Sequence, residues 1–131
     1  MGHLNSTDVD VLIAGAGPTG LAMAAEAVRL GLRYRIVDKA PHGAVHSQAL
    51  VIHARTLEQF ERYELAQRAI ERGRRLHRIR IYSDGTRILE TSFADLPGNY
   101  PFILFLPQPE TERLLVEHVE AAGGIIEREV A

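Results

Sequence analysis

The chain has no cysteine, and this absence excludes several kinds of chemistry. Among its 131 residues no thiol is available to form a disulfide, to bind a metal or to act as a nucleophile. The formal net charge is -2 at pH 7, which gives no general attraction to nucleic acid or to an anionic membrane. No run approaches the roughly 18 consecutive apolar residues of a membrane-spanning helix. We therefore expect a cytoplasmic protein that binds neither nucleic acid nor membrane.

The polar segment 1–8 differs from a secretory signal, because it has neither a basic start nor an apolar stretch. The length of the chain predicts one modest hydrophobic core. No metal site is predicted, because the histidines show no metal-ligand spacing and are expected to be solvated. Those that follow the segment 1–8 are His42, His46, His53, His77 and His118.

The most informative motif is an apolar strand that runs directly into G-x-G-x-x-G. The strand is predicted over Val9–Ala14, and a helix over Leu21–Leu30 follows the glycines. Gly15 permits a tight turn, Gly17 lets the backbone approach a pyrophosphate, and Gly20 lets helix and strand pack closely. The phosphates would face the N-terminus of the helix, where backbone N–H groups and the helix dipole hold an anion. The motif therefore predicts a dinucleotide site.

A second predicted strand, Tyr34–Val37, ends at Asp38. The unit from Val9 to Asp38 has the roughly 30-residue length of a dinucleotide-binding βαβ unit, with an acid about 20 residues after the glycines. Asp38 is therefore placed to accept hydrogen bonds from the ribose hydroxyls of an adenosine group. The alternative is an ordinary βαβ crossover, in which the glycines only shape a turn and Asp38 is a solvated acid.

The rest of the chain predicts a second, smaller sheet inserted after this unit. Leu76–Tyr82 alternates between apolar and polar residues, and Asp84-Gly85 turns the chain into Thr86–Phe93. Together these features predict an antiparallel hairpin. A short strand is predicted over Phe102–Leu106. The predicted fold class is α/β, a Rossmann-like sheet with the hairpin inserted. We divide it into a polar extension (1–8), the βαβ unit with its following helices (9–75), the hairpin and short strand (76–106), and a returning helix and strand (107–131).

Two short helices are predicted between the βαβ unit and the hairpin, over Arg55–Arg62 and Ala66–Gly73. Arg55 and Glu58 lie three residues apart on the first helix, which favours an ion pair over a role in a site. The second helix is expected to end in a solvated, arginine-rich turn. That turn is formed by Arg72, Arg74 and Arg75.

The last part of the chain is predicted to return to the main sheet. A helix is expected to begin at Pro109, and the strand Ile125–Val130 follows it. The apolar faces of Leu115, Val119 and Ile125 are expected to have no partners within the chain. This predicts a homo-oligomer or association with a completing chain.

Four segments of the sequence together resemble the N-terminal part of the class A flavoprotein monooxygenases, the group of para-hydroxybenzoate hydroxylase and the polyketide aromatic hydroxylases. The first two are shared with many nucleotide-binding proteins, whereas the third and fourth are more specific. In chain order they are VLIAGAGPTGLA, IVDKA, HSQALVIHARTLEQF and FLPQPETERLLVEHVEAAG. The resemblance covers almost all of residues 9–130.

This resemblance implies FAD bound in an extended form. The ribose of its adenosine would lie at Asp38 beside Lys39, and segment 46–49 would run along the cofactor. Many relatives carry an arginine where this chain has Gln48, so we expect one charge-assisted contact fewer. Gln108 would reach the cofactor from the end of the short strand; the alternative is a helix-capping or solvated glutamine. The pyrophosphate would lie at Gly15, Gly17, Pro18, Thr19 and Gly20.

The resemblance also implies a reaction, in which NADH or NADPH reduces FAD and an aromatic or polyketide-type substrate is hydroxylated. Complete family members are several times longer and carry later Asp-Gly and Gly-Asp segments. We find neither segment here, since we interpret Asp84-Gly85 as a hairpin turn and not as the first of them. We therefore expect little turnover from these 131 residues alone. Two alternatives stay open: a stand-alone dinucleotide-binding module completed by another chain, and a part of another flavin oxidoreductase.

Overall fold

The computed structural model describes residues 9–45 and 50–130. Two compact units divide the chain, one formed by Met1–Ser47 with Gln108–Ala131 and the other by Gln48–Pro107. The helices are α1 (Pro18–Leu30), α2 (Ala54–Glu61), α3 (Ala66–Arg72) and α4 (Gln108–Ala121). The strands are β1 (Val11–Ala14), β2 (Tyr34–Asp38), β3 (Val51–Ile52), β4 (Arg74–Leu76), β5 (Arg78–Ser83), β6 (Thr86–Ser92), β7 (Ile103–Phe105) and β8 (Ile126–Arg128).

The first unit contains a parallel three-stranded sheet in the order β1-β2-β8. Ile36 of β2 lies opposite Ile13 of β1 and Ile126 of β8, so an apolar row crosses the sheet. The predicted βαβ unit and the returning strand are thereby confirmed as a Rossmann-like arrangement. Helix α1 ends at Gly31, which adopts the left-handed conformation with φ 66° that favours glycine at this position.

Helices α1 and α4 pack against each other in this unit. The fully covered positions of α1 are mostly alanines, whose small side chains let a neighbouring helix approach closely. The predicted lack of partners for Leu115 and Val119 is wrong, because both are buried in this packing, whereas Ile125 is 76% exposed. The buried apolar residues of the two helices are Leu21, Ala24, Ala25, Ala27, Leu114, Leu115 and Val119.

The second unit contains an antiparallel sheet in the order β3-β7-β4 and the separate hairpin β5-β6. The hairpin prediction is confirmed, and Asp84 and Gly85 take the positive φ values of 49° and 77° that its turn needs. One acid on the hairpin, Glu90, forms ion pairs with Arg78, Arg80 and Arg87.

The arginine-rich segment after α3 is a strand rather than a helical turn. Gly73 has extended backbone (φ −104°, ψ −177°), and Arg74 and Arg75 then pair with Phe105 and Leu104 of β7. The predicted turn is therefore wrong for these two arginines, because pairing with β7 decides their conformation, whereas both are exposed as expected. The Arg75 guanidinium also lies 5.1 Å from the centre of the Phe102 ring, a favourable cation–π distance.

No helix in the described part of the chain is long and apolar enough to cross a membrane.

Candidate nucleotide-binding site

The three glycines after β1 have different structural surroundings. Gly15 has φ 108°, a backbone conformation that residues other than glycine rarely adopt. Its N–H donates to the Val37 carbonyl at 2.7 Å. Gly17 precedes α1 in an ordinary extended conformation, and a Cβ atom on it would meet no described residue other than its chain neighbours within 4 Å. A Cβ atom on Gly20 would instead overlap the Gly15 carbonyl oxygen and lie 3.3 Å from Ile13 Cγ2. Gly20 is thus the packing position, and Gly17 borders open space.

The N-terminus of α1 carries no side-chain cap and no acid in its first turn. Pro18 is the first helical residue, where its missing N–H is not needed. No acid of the first turn therefore neutralises the positive end of the helix dipole, which favours an anion at this end. An open cavity of about 500 Å³ borders the same turn and includes Thr19 and Met23 in its lining.

Asp38 ties the end of β2 to the glycine turn. Its Oδ2 atom accepts a hydrogen bond from the Ala16 N–H at 2.6 Å, and its Oδ1 atom accepts one from the Ala40 N–H at 2.8 Å. Arg128 Nη1 lies 3.5 Å from Oδ2. A carboxylate has about four acceptor positions, so these backbone contacts leave capacity for hydroxyl donors.

The pKa of Asp38 is lowered, chiefly by the backbone N–H groups of Ala40 and then Ala16, against an opposing effect of burial. The positive charges of Arg128 and Lys39 lower it further. Asp38 is therefore ionised at neutral pH and can only accept hydrogen bonds there.

The lowered pKa predicts that Asp38 stabilises the fold less in acid. A depressed folded-state pKa gives stability that is fully present above the unfolded-state pKa of about 3.9 and is lost as pH falls through the folded-state value. The difference in the free energy of unfolding between wild type and Asp38→Asn should therefore become smaller as the pH is lowered from about 6 to about 3. Urea unfolding of both proteins at the two pH values measures it, and a constant difference would contradict the assignment.

Gln108 and a second acid lie at the start of α4. Gln108 Nε2 donates to Glu112 Oε1 at 2.8 Å, and Glu112 Oε2 accepts from the Ala44 N–H at 2.9 Å. Sequence reasoning missed both Glu112 and Arg128. The signal for Glu112 was a glutamine and an acid four residues apart on one helix face, whereas the pairing of Arg128 with Asp38 depends on the register of β2 and β8.

The other residues that the sequence singled out lie in different parts of the chain. Lys39 is exposed at the end of β2, and Gln48, with the rest of segment 46–49, lies outside the described residues. In the second unit, Arg55 Nη1 lies 3.2 Å from Glu58 Oε2, which confirms the predicted ion pair. Within residues 9–45 and 50–130, no cluster of three histidine, aspartate or glutamate side chains could hold a metal ion.

Comparison with known proteins finds a consistent set of relatives. The family model described as "FAD binding domain" matches residues 8–130. The 6-methylpretetramide 4-monooxygenase of Streptomyces rimosus is 40% identical over 119 residues, which cover 89% of this chain and 21% of that protein. The pentachlorophenol 4-monooxygenase of Sphingobium chlorophenolicum is 41% identical over 119 residues, which cover 88% of this chain and 22% of that protein.

The fold agrees with a solved structure in the same group. The OxyS anhydrotetracycline hydroxylase from Streptomyces rimosus superposes with a TM-score of 0.76 at 32% identity, covering 92% of this chain and 24% of that chain. The present chain therefore spans between a fifth and a quarter of the length of these relatives.

Proposed function

Because this chain belongs to the FAD binding domain family, we propose that it holds the adenosine diphosphate part of FAD for a monooxygenase that hydroxylates an aromatic or polyketide-type substrate. The named relatives are monooxygenases and a hydroxylase of such compounds. The chain covers between 21% and 24% of their lengths, so the substrate and the reaction belong to the proposal.

The observation that carries the proposal is the open N-terminus of α1. This helix end has no side-chain cap and no acid in its first turn, and among the described residues no atom other than those of its chain neighbours lies within 4 Å of where a Gly17 side chain would begin. A pyrophosphate fits such a place, because the helix dipole and backbone N–H groups stabilise its charge. Gly15, Gly17, Pro18, Thr19 and Gly20 would surround it.

The other proposed contacts follow from donor and acceptor chemistry. Asp38 is an ionised acceptor with positions left for ribose hydroxyls, and Lys39 is an exposed cation beside it. Gln108 and Gln48 would contact the cofactor through their carboxamides. When bound, FAD supplies the redox chemistry, with NADH or NADPH as the reductant, and the residues of this chain bind and orient it.

The test is a titration of the chain with FAD, followed by flavin fluorescence. We expect saturable one-to-one binding that ADP competes away and riboflavin does not, because the contacts proposed for the glycine turn and for Asp38 lie on the nucleotide part. We also expect no hydroxylated product from a simple phenol with NADH or NADPH, since the chain spans about a quarter of its relatives.

Two results would overturn parts of this proposal. Absence of saturable FAD binding would contradict the assigned site. Product formation coupled to NADH or NADPH oxidation would instead contradict the expectation that residues beyond these 131 are needed for turnover.

A further inference from the structure

Glu112 is the one charged side chain that is buried within the described ranges, with 5% of its surface exposed. A buried carboxylate is costly unless both of its oxygens accept hydrogen bonds. Here each oxygen has a donor, the Ala44 N–H for Oε2 and the Gln108 Nε2 group for Oε1. The acid therefore joins helix α4 to the loop that follows β2.

The loop approaches Glu112 closely at a glycine. A Cβ atom on Gly43 would lie 3.0 Å from Glu112 Oε2 and 3.8 Å from Arg128 Nη2. Arg128 in turn contacts Asp38, so the loop from Asp38 to Ala44 is held at its beginning by the sheet and at its end by Glu112.

Glu112 also fixes the orientation of the Gln108 carboxamide. Because a carboxylate only accepts hydrogen bonds, it selects the Nε2 end of Gln108 and turns the Oε1 end the other way. A hydroxyl group of a ligand is a suitable donor for that oxygen. A side chain at position 112 with its own N–H group would allow the opposite orientation.

We propose that Glu112 is a positioning residue for FAD: it fixes the loop after Asp38 and presents the Gln108 carboxamide with its oxygen toward the hydroxyl groups of the cofactor. This inference rests on the proposed function, because it takes Asp38 and Gln108 as cofactor contacts. Glu112 itself is not expected to touch FAD.

Glu112→Gln tests the proposal with almost no change of shape. The new amide directs its N–H group toward either Ala44 or Gln108. In the first case the Ala44 N–H loses its acceptor, and in the second case the Gln108 carboxamide has to reverse. We expect FAD affinity to fall about tenfold, while the thermal unfolding midpoint of the apoprotein stays close to that of the control. The control is Glu110→Gln, which removes the same charge from the same end of α4 at a partly exposed ion pair with Arg113.

A double-mutant cycle with Gln108→Ala separates positioning from general stability. If Glu112 acts through Gln108, the loss of affinity caused by Glu112→Gln should shrink when Gln108 is already alanine. Equal losses in both backgrounds, or an affinity equal to that of Glu110→Gln, would overturn the proposal. Wild-type chain that does not bind FAD would overturn the proposed function instead.

A measurement on the wild-type chain needs no variant. The Ala44 amide is expected to exchange slowly with deuterium, and more slowly with FAD bound, because its N–H donates to Glu112. Exchange of this amide at the rate of an unprotected loop in the FAD complex would overturn the proposal.

Discussion

Gly20→Ala is expected to destabilise the fold by about 3 kcal/mol, an effect typical of overpacking at a site that cannot relax. The added Cβ atom would lie 3.0 Å from the Gly15 carbonyl carbon and closer still to its oxygen, with Ile13 Cγ2 at 3.3 Å. Two of these neighbours are backbone atoms of the turn, and the third belongs to a buried residue of β1. Helix α1 would therefore have to move away from the strand.

Urea unfolding followed by circular dichroism measures this effect, and FAD binding should be lost together with stability. For the stability measurement, Gly17→Ala is the matched control, since it adds the same methyl group three residues earlier, where no other described residue beyond its chain neighbours lies within 4 Å. A Gly20→Ala protein with the unfolding midpoint of wild type would contradict the close approach of helix and strand.

The glycine turn could be predicted from the sequence because its determinants are local. Gly15 and Gly20 lie within one strand–turn–helix segment, so the spacing of glycines after an apolar run is sufficient to predict its geometry. The same holds for the hairpin turn at Asp84 and Gly85. In these segments the backbone requirement and the residue that meets it are neighbours in the chain.

Short strands and long-range contacts could not be predicted in this way. Strand β3 has two residues and β4 has three, and both take their conformation from pairing with β7. The contact between Ala44 and Glu112 joins residues 68 positions apart, so no local pattern specifies it. The sequence therefore predicted the glycine turn better than the long-range contacts that hold the loop after β2.

Gly17→Ala is expected to weaken FAD binding at least tenfold while leaving the stability of the apoprotein nearly unchanged. Its backbone angles, φ −79° and ψ −174°, are accessible to any residue. Alanine is a poorer N-cap than glycine, but it also restricts the unfolded chain by about 0.4–1 kcal/mol. These two effects have opposite signs and similar sizes, so little net change in the free energy of unfolding follows.

The loss of affinity comes from the space in front of the turn. A methyl group there would occupy the place proposed for the pyrophosphate and hold it away from the N-terminus of α1, where the attraction to an anion decreases steeply with distance. FAD and ADP titrations of wild type and variant measure the effect, and both ligands should lose affinity by the same factor because they share the diphosphate. Unchanged ADP binding would place the phosphates elsewhere on the chain. A fall in apoprotein stability as large as that expected for Gly20→Ala would make Gly17 a packing residue like Gly20.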